Sequence, residues 1–221
     1  MPTNPLIAAF VLAFASYLIG SIPFGLLLVR WIKGVDLRSY GSGNIGATNA
    51  SRVLGGKWGA VILLLDAAKG LLPTLFLSQY FIDPLGGRHA RVLAGTCAIL
   101  GHVFPVWLRF RGGKGVATAL GVASILGWPW AILAATGTFL AVFITTRIVS
   151  LGSVLAAAVF AGVKVYELAP LWFEESRWSM TLFSTVIPAL IILWHRSNLL
   201  RLLRGEERGL TPIPAEPPQQ P

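Results

Sequence analysis

Three short segments of the chain combine glycine with hydroxyl, amide and cationic side chains, the mixture that binds phosphate oxygens. The first is 41–52, GSGNIGATNASR; the second is 110–118, FRGGKGVAT, preceded by Gly101-His102; the third begins at 195 with HRSNLLR. Glycine lets backbone N–H groups approach an anion, while Ser, Thr and Asn supply neutral donors. Each segment is therefore expected to form part of a phosphate site.

Two features of the spacing sharpen this expectation. Lys114 lies between glycines at a helix entrance, and His195, Asn198 and Arg201 recur every three residues, so that they share one helix face. A single basic, Gly-rich loop is more often a plain connector beside a membrane. Three such loops with neutral donors are harder to explain as plain connectors. A nucleotide is not the expected ligand, because Gly115 stands where a nucleotide-binding loop has Ser or Thr.

The residue types missing from these segments limit the chemistry. None of the three motif cores contains Asp or Glu, and the histidines at 89, 102 and 195 lack metal-ligand spacing, so neither a metal nor another cofactor is expected. Cys97 is the single cysteine. A catalyst built here would act by positioning and positive electrostatics, which requires a substrate with a good leaving group.

The elements that position these segments must lie in a bilayer. Of the 221 residues, 55% are hydrophobic and only 12% are charged, which excludes a soluble globule. Uncharged windows of roughly 20 residues, ended by glycine, proline or charge, predict an all-α bundle of seven transmembrane spans. The predicted spans are 6–29, 58–81, 92–108, 116–127, 130–146, 151–168 and 179–194. The window 116–127 is short for a full crossing.

The net charge of +9 predicts the orientation of these spans. Thirteen of the 18 Lys and Arg residues fall in alternate loops and the segment from 195, whereas the other side holds only Arg88, Arg91 and Arg177. The positive-inside rule makes the richer side cytoplasmic, with the N-terminus outside and the C-terminus inside.

Two local features of the predicted helices also bear on the site. A helix starting just after the first motif would add its positive end to the site. In the second predicted span, Asp66 and Lys69 are three residues apart and can pair on one helix face.

The C-terminal segment differs in composition from the rest. Pro and Gln dominate it, and it has no apolar run that could pack. We therefore expect one membrane domain over 1–208 and a disordered tail over 209–221.

At these motifs the sequence resembles the bacterial acyl-phosphate-dependent glycerol-3-phosphate acyltransferases, which are integral membrane enzymes. The resemblance rests on 41–52, on GHVFPVWLRFRGGKGVAT at 101–118, on SLGS at 150–153 and on HRSNLLRLLRGEE at 195–207. It implies acyl transfer from acyl phosphate to the 1-hydroxyl of sn-glycerol 3-phosphate, giving lysophosphatidic acid and phosphate in the first acylation of phospholipid synthesis. It also implies a multi-pass protein of the bacterial inner membrane, with its active site facing the cytoplasm.

The resemblance also implies site residues. The catalytic candidates are Lys114, Ser42, Arg52, Asn198, Arg201 and His195. The substrate-binding candidates are Gly41, Gly43, Asn44, Thr48, Asn49, Lys69, His102, Gly112, Gly113, Thr118, Ser150 and Ser153. Lys69 either reaches the site or pairs with Asp66, and His102 serves more often as a helix-end partner than as a base. Acyl phosphate, glycerol phosphate and membrane lipid are the implied partners, with transient contact to the enzyme that makes acyl phosphate; no nucleic acid is expected.

Alternatives remain at the level of mechanism and of function. Direct attack by the glycerol hydroxyl, with substrate phosphate taking the proton, is preferred because the motif cores lack a carboxylate. His195 as general base is the second mechanism, and Ser42 as covalent nucleophile the third. The competing functions are an organic-phosphate transporter, which would use the same basic pockets, and a polytopic scaffold.

Overall fold

The computed structural model describes residues 4–127, 129–207 and 209–210, and within them all regular secondary structure is helical. The helices are α1 Pro5–Gly20, α2 Phe24–Lys33, α3 Ala47–Leu54, α4 Gly56–Leu75, α5 Ile82–Leu85, α6 Gly87–Val103, α7 Val116–Leu126, α8 Pro129–Thr146, α9 Val149–Leu168, α10 Trp178–Trp194 and α11 Arg196–Leu203. Short 3-10 turns lie at Leu37–Ser39, Leu77–Phe81 and Val106–Leu108.

Five helical segments of the described chain are long and apolar enough to cross a membrane. They are Pro5–Lys33, Gly56–Leu85, Gly87–Leu108, Pro129–Thr146 and Val149–Leu168, and α10 with α11, bent by 52°, adds a sixth if the pair is one span. The prediction of a helical membrane bundle is confirmed. The predicted span 116–127 is the exception, since α7 has 11 residues and its length of about 16 Å falls short of the roughly 30 Å hydrocarbon core.

The first predicted span is not one continuous helix. α1 ends at Gly20, and α2 begins at Phe24 after Pro23. Proline lacks the N–H that would continue the helical ladder, so the backbone breaks there. The side chain of Lys69 fills the break, because its ammonium group donates a hydrogen bond of 2.7 Å to the carbonyl of Ile22.

The other predicted boundaries hold to different degrees. The windows 130–146, 151–168 and 179–194 agree with α8, α9 and α10 to within two residues. The window 58–81 instead covers most of α4, which begins at Gly56 and ends at Leu75, and the 3-10 turn Leu77–Phe81. The window 92–108 starts too late, because α6 begins at Gly87, immediately after Gly86 with its positive φ of 77°. The pattern of uncharged residues does not predict the first turn of α6, because Arg88 and Arg91 interrupt it.

Close approach of helices depends on small residues. A Cβ atom on Gly70 of α4 would overlap the carbonyl of Thr118 on α7, and one on Gly121 of α7 would overlap the carbonyl of Ala67. Small residues let membrane helices pack with their backbones close together. α7 therefore packs closely against α4, and this packing fixes the position of the first residues of α7.

The two ends of the bundle differ in composition. At one end Ala8 and Leu12 near the start of α1 pack with Phe81, Ala90 and Ala94. At the other end lie the loop after α2, the loop before α7 and the break between α10 and α11, which carry the three Gly-rich and basic segments. The functional site has to be sought at this second end.

Candidate functional site

A cavity of about 710 Å³ opens at the end of the bundle where the three segments meet. One end of the cavity is polar and the rest is an apolar limb between α7, α8, α9 and α10. The polar wall includes Ser42, Thr48, Asn49, Arg52, Asp66, His102, Lys114, Ser150, Ser153, His195, Asn198, Arg201, Glu206 and Glu207. Three segments that lie far apart in the chain thus form one site.

Three helix N-termini line the polar end. Ala47 and Thr48 of α3, Val116 and Ala117 of α7, and Val149 and Ser150 of α9 belong to the cavity wall. The first backbone N–H groups of a helix lack intrahelical partners, and the helix dipole adds positive potential there. This convergence favours an anion such as phosphate. α3 starts inside the first motif at Ala47, not just after it as expected, so Thr48, Asn49 and Arg52 are helical.

The first motif is shaped by two asparagines. The buried side chain of Asn49 accepts a hydrogen bond of 3.0 Å from the backbone N–H of Ser42 and donates one of 2.9 Å to each of the carbonyls of Tyr40 and Asn44. Asn44 in turn accepts from the N–H of Gly46, next to the start of α3. The carboxamide of Asn49 forms these hydrogen bonds with the backbone of its own loop. Direct phosphate binding by Asn49 stays a prediction.

The second motif positions Lys114 through its glycines. The N–H of Gly113 donates to the carbonyl of His102 at 3.1 Å, and a Cβ atom on Gly113 would overlap the imidazole of His102. Gly115 has a φ of 77°, a conformation that side chains disfavour. Lys114, held between these points, donates a hydrogen bond from Nζ to Oδ1 of Asn198.

The third motif is tied together by Glu207. Its carboxylate accepts hydrogen bonds of 2.7 Å from Ser150 Oγ, 2.5 Å from Asn198 Nδ2 and 2.8 Å from Arg201 Nε. The carbonyl of Gly209, two residues further on, accepts from the guanidinium of Arg52 at 3.1–3.2 Å. The segment after α11 therefore folds back over the polar end, while residues 211–221, most of the expected tail, lie outside the described part of the chain.

The charges at this end shift the pKa values of two groups. Burial lowers the pKa of Lys114 to about 8, and the cations Arg201 and Arg52 act in the same direction, while Glu207 opposes them. For Glu207, burial raises the pKa, but hydrogen bonds from Asn198, Ser150 and Arg201 outweigh it and leave the pKa below its ordinary value. Glu207 is therefore ionised at neutral pH, and its charge helps to keep Lys114 protonated.

A buried ion pair stands beside the site. Asp66 lies 2.8 Å from the Lys69 ammonium group, with both side chains almost wholly buried, and the His102 Nδ1 is 3.6 Å from the same carboxylate. Asp66 and His102 reach the cavity wall, whereas Lys69 does not. Of the two roles open to Lys69, pairing with Asp66 is the one the structure shows.

Most of the candidates from the sequence lie on the cavity wall. All six catalytic candidates do, as do Gly41, Asn44, Thr48, Asn49, His102, Ser150 and Ser153. The candidates away from the wall are Gly43, Lys69, Gly112, Gly113 and Thr118. The physical reasons differ: Gly112 and Gly113 pack on the end of α6, Thr118 faces Gly70, and Gly43 lines a neighbouring open pocket with Asp36, Arg38 and Arg111.

The sequence reasoning does not assign three carboxylates of the wall, Asp66, Glu206 and Glu207, to the site. Glu206 and Glu207 come after the core of the third motif, and the pattern around Asp66 predicts only a pair with Lys69. Spacing along α11 gives no sign that the chain reverses after Gly205, although the positive φ of 70° at that glycine marks a turn, and a glycine after a helix is its usual signal. Among the described residues, no group of three or more metal-binding side chains is present.

The fold and the cavity together define a class: a helical integral membrane protein with a phosphate-type polar site joined to an apolar limb. Comparison with known proteins identifies the family. Residues 10–205 match the family described as glycerol-3-phosphate acyltransferase, and the chain belongs to that family. The family inferred from the sequence motifs is thereby confirmed.

Individual relatives cover almost the whole chain. A glycerol-3-phosphate acyltransferase of Myxococcus xanthus is 49% identical over 198 residues, covering 89% of this chain and 97% of that protein. One from an Anaeromyxobacter species is 45% identical over 200 residues, covering 90% and 95%. The crystal structure of PlsY (YgiH), an integral membrane glycerol 3-phosphate acyltransferase, in its glycerol 3-phosphate form matches with a TM-score of 0.79 and 38% identity, covering 91% of this chain and 94% of that one.

Proposed function

We propose that this protein transfers a fatty acyl group from acyl phosphate to the 1-hydroxyl of sn-glycerol 3-phosphate, forming lysophosphatidic acid and inorganic phosphate. The observation that carries the proposal is the two-part cavity, in which cations and three helix N-termini surround a polar end that continues into an apolar limb. Both substrates carry a phosphate and one also carries an acyl chain, so the two parts match the pair of substrates.

The reaction needs little chemistry from the protein. The hydroxyl oxygen of glycerol phosphate attacks the acyl carbonyl carbon, the bond from that carbon to the phosphate oxygen breaks, and phosphate leaves with the bonding electrons. We assign Lys114 and Arg52 to the charge on the carbonyl oxygen and the leaving phosphate. Asn198, Arg201 and His195 position glycerol phosphate, and the hydroxyls of Ser42 and Thr48 serve as further donors. The hydroxyl hydrogen of Ser150 is donated to Glu207 and that of Ser153 to the carbonyl of Val149.

The proton of the attacking hydroxyl passes to a phosphate oxygen in the preferred scheme. Of the carboxylates now found in the wall, Glu207 accepts three hydrogen bonds and Asp66 is paired with Lys69, so these two are poor bases for this step. His195 is better suited in geometry: its Nδ1 lies 2.8 Å from the Ile191 carbonyl, which can only accept, so Nε2 is left without the proton. It remains the second candidate for the base.

The proposed setting is the inner membrane of a bacterium, with seven crossings, the N-terminus outside and the site at the cytoplasmic face. Wall residues that follow the first, third, fifth and seventh predicted spans, namely Arg52, Lys114, Ser150 and Asn198, share one end of the bundle, which supports this alternation. α7 would then be the short crossing, antiparallel to α8.

The test uses purified protein with acyl phosphate and glycerol 3-phosphate. Release of inorganic phosphate and formation of lysophosphatidic acid in equal amounts, both requiring both substrates, support the proposal. Phosphate release that is independent of the acceptor contradicts it. An organic-phosphate transporter, the competing function, would instead move glycerol 3-phosphate unchanged into sealed vesicles that contain the protein.

A further inference from the structure

The apolar limb of the cavity has a definite far end. Along α9 the wall residues run from Ser150 at the polar end through Ser153, Ala156 and Ala157 to Phe160. Along α10, which runs in the opposite direction, they run from His195 through Ile191 and Ile187 to Phe183. Phe160 and Phe183 are thus the wall residues of these two helices that lie farthest from the cations.

The two phenylalanines close the limb with well-packed side chains. Phe160 is 8% exposed and Phe183 is 4% exposed, and both belong to one core cluster. That cluster continues beyond them with Met180, Leu126 and Leu168. Ser150 and Phe160 are ten positions apart on α9, which gives a depth of about 15 Å at 1.5 Å per residue.

We propose that Phe160 and Phe183 form the floor of the acyl-chain limb and set the longest fatty acyl chain that the protein accepts, an inference that rests on the proposed acyl transfer. Five of the wall residues above the floor are alanines, and Ala119 and Ala123 of α7, Ala135 of α8 and Ala156 and Ala157 of α9 leave the space that a chain would occupy. A longer chain would have to displace a buried aromatic ring, and well-packed interiors resist such displacement.

Two exposed leucines in the cavity wall suggest an alternative path for the acyl chain. Leu63 of α4 and Leu120 of α7 line the cavity nearer its polar end, yet they are 41% and 42% exposed. A chain that left the cavity sideways past these leucines would end in lipid and would never meet the phenylalanines. In that arrangement chain length would not depend on Phe160 or Phe183.

The experiment measures kcat/KM for saturated acyl phosphates of increasing even chain length with glycerol 3-phosphate as acceptor. Phe160→Leu and Phe183→Leu are expected to shift the preferred donor to longer chains, raising the ratio of long-chain to short-chain kcat/KM by about tenfold, the low end of what one methylene contributes in an apolar pocket. Ala157→Leu, which adds volume one turn above Phe160, is expected to shift the preference to shorter chains.

Matched controls lie on the same helices. Leu155 of α9 and Leu182 of α10 are exposed and do not line the cavity, so Leu155→Ala and Leu182→Ala are expected to keep the wild-type profile. A wild-type profile in both phenylalanine variants and in Ala157→Leu would overturn the floor and favour the sideways exit. Absence of product from every acyl phosphate with wild-type protein would instead refute the proposed function, and the floor with it.

Discussion

Lys114 and Asn198 lie 84 residues apart in the chain and are joined by a hydrogen bond from the lysine Nζ to the asparagine Oδ1 across the polar end of the cavity. Asn198 also donates to Glu207, which accepts from Ser150 and Arg201. One network therefore connects the loop before α7, the start of α9 and the segment after α10. Changes at one member are expected to alter the geometry of the others.

The Asp66–Lys69 pair is predicted to matter for stability. Asp66→Asn keeps the shape but leaves the buried Lys69 without its counter-ion, and breaking a buried pair in this way costs about 3–5 kcal/mol. Thermal unfolding of the detergent-solubilised protein should show a clear loss, partly recovered in Asp66→Asn/Lys69→Met. Asp83→Asn, at an exposed carboxylate, is the control. Equal unfolding temperatures for Asp66→Asn and Asp83→Asn would contradict the buried-pair interpretation.

The membrane fold was largely predictable, because the apolar bilayer requires each span to be a stretch of about 20 residues that carries little or no charge. The break at Pro23 was missed because the residues around it are uncharged, and the start of α6 was missed because Arg88 and Arg91 interrupt the apolar pattern. Uncharged length alone does not show that a proline breaks the hydrogen-bond pattern of a helix, and it ends a predicted span at an arginine even where the helix continues.

Within the site, the predictable part was the set of donors. Lys114, Arg52, Asn198 and Arg201 stand out because cations among glycines and amides are rare in an apolar chain. Glu207 was not predictable in the same way, since its place depends on the reversal after Gly205 and on contacts with α9. The floor of the limb was also beyond the sequence, because Phe160 and Phe183 resemble any other lipid-level phenylalanine until α9 and α10 are brought together.

Gly113 is predicted to tolerate no side chain. In Gly113→Ala the methyl group would overlap the imidazole of His102, and overpacking of this kind costs about 1–3 kcal/mol. Displacement of the loop would also move Lys114 and lower kcat. In Gly137→Ala the added methyl group meets nothing within 4 Å, so this control should be neutral or more stable. Unfolding temperature and kcat are measured for both, and a fully active, equally stable Gly113→Ala would contradict the packing argument.

His195 separates the two schemes for the proton. If substrate phosphate accepts it, His195→Ala should lower kcat/KM modestly and leave the shape of the pH profile intact. If the imidazole accepts it, the variant should lose one ionisation and several orders of magnitude in rate. The measurement is kcat/KM against pH for wild type and variant, and the second outcome would reverse the preferred mechanism.

The lowered pKa of Lys114 predicts a pH dependence. With a pKa of about 8, the ammonium is charged below pH 8 and loses its proton as the pH rises through that value, so kcat/KM should fall on the alkaline side by about tenfold per pH unit. Glu207 raises this pKa, so Glu207→Gln should move the fall to lower pH. Glu175→Gln, at an exposed carboxylate away from the cavity, should not move it. A flat profile to pH 10 in wild type would contradict the assignment.

The most direct test of the central claim, that this cavity transfers an acyl group with Lys114 stabilising the developing charge, is the rate of lysophosphatidic acid formation by wild type and Lys114→Ala at saturating acyl phosphate and glycerol 3-phosphate. Removing one such donor lowers kcat by about 100- to 1,000-fold. The control Lys57→Ala, at an exposed lysine outside the cavity, should retain the wild-type rate. We predict product from wild type and Lys57→Ala and a loss of that size in a folded Lys114→Ala; equal rates in all three proteins would contradict the claim.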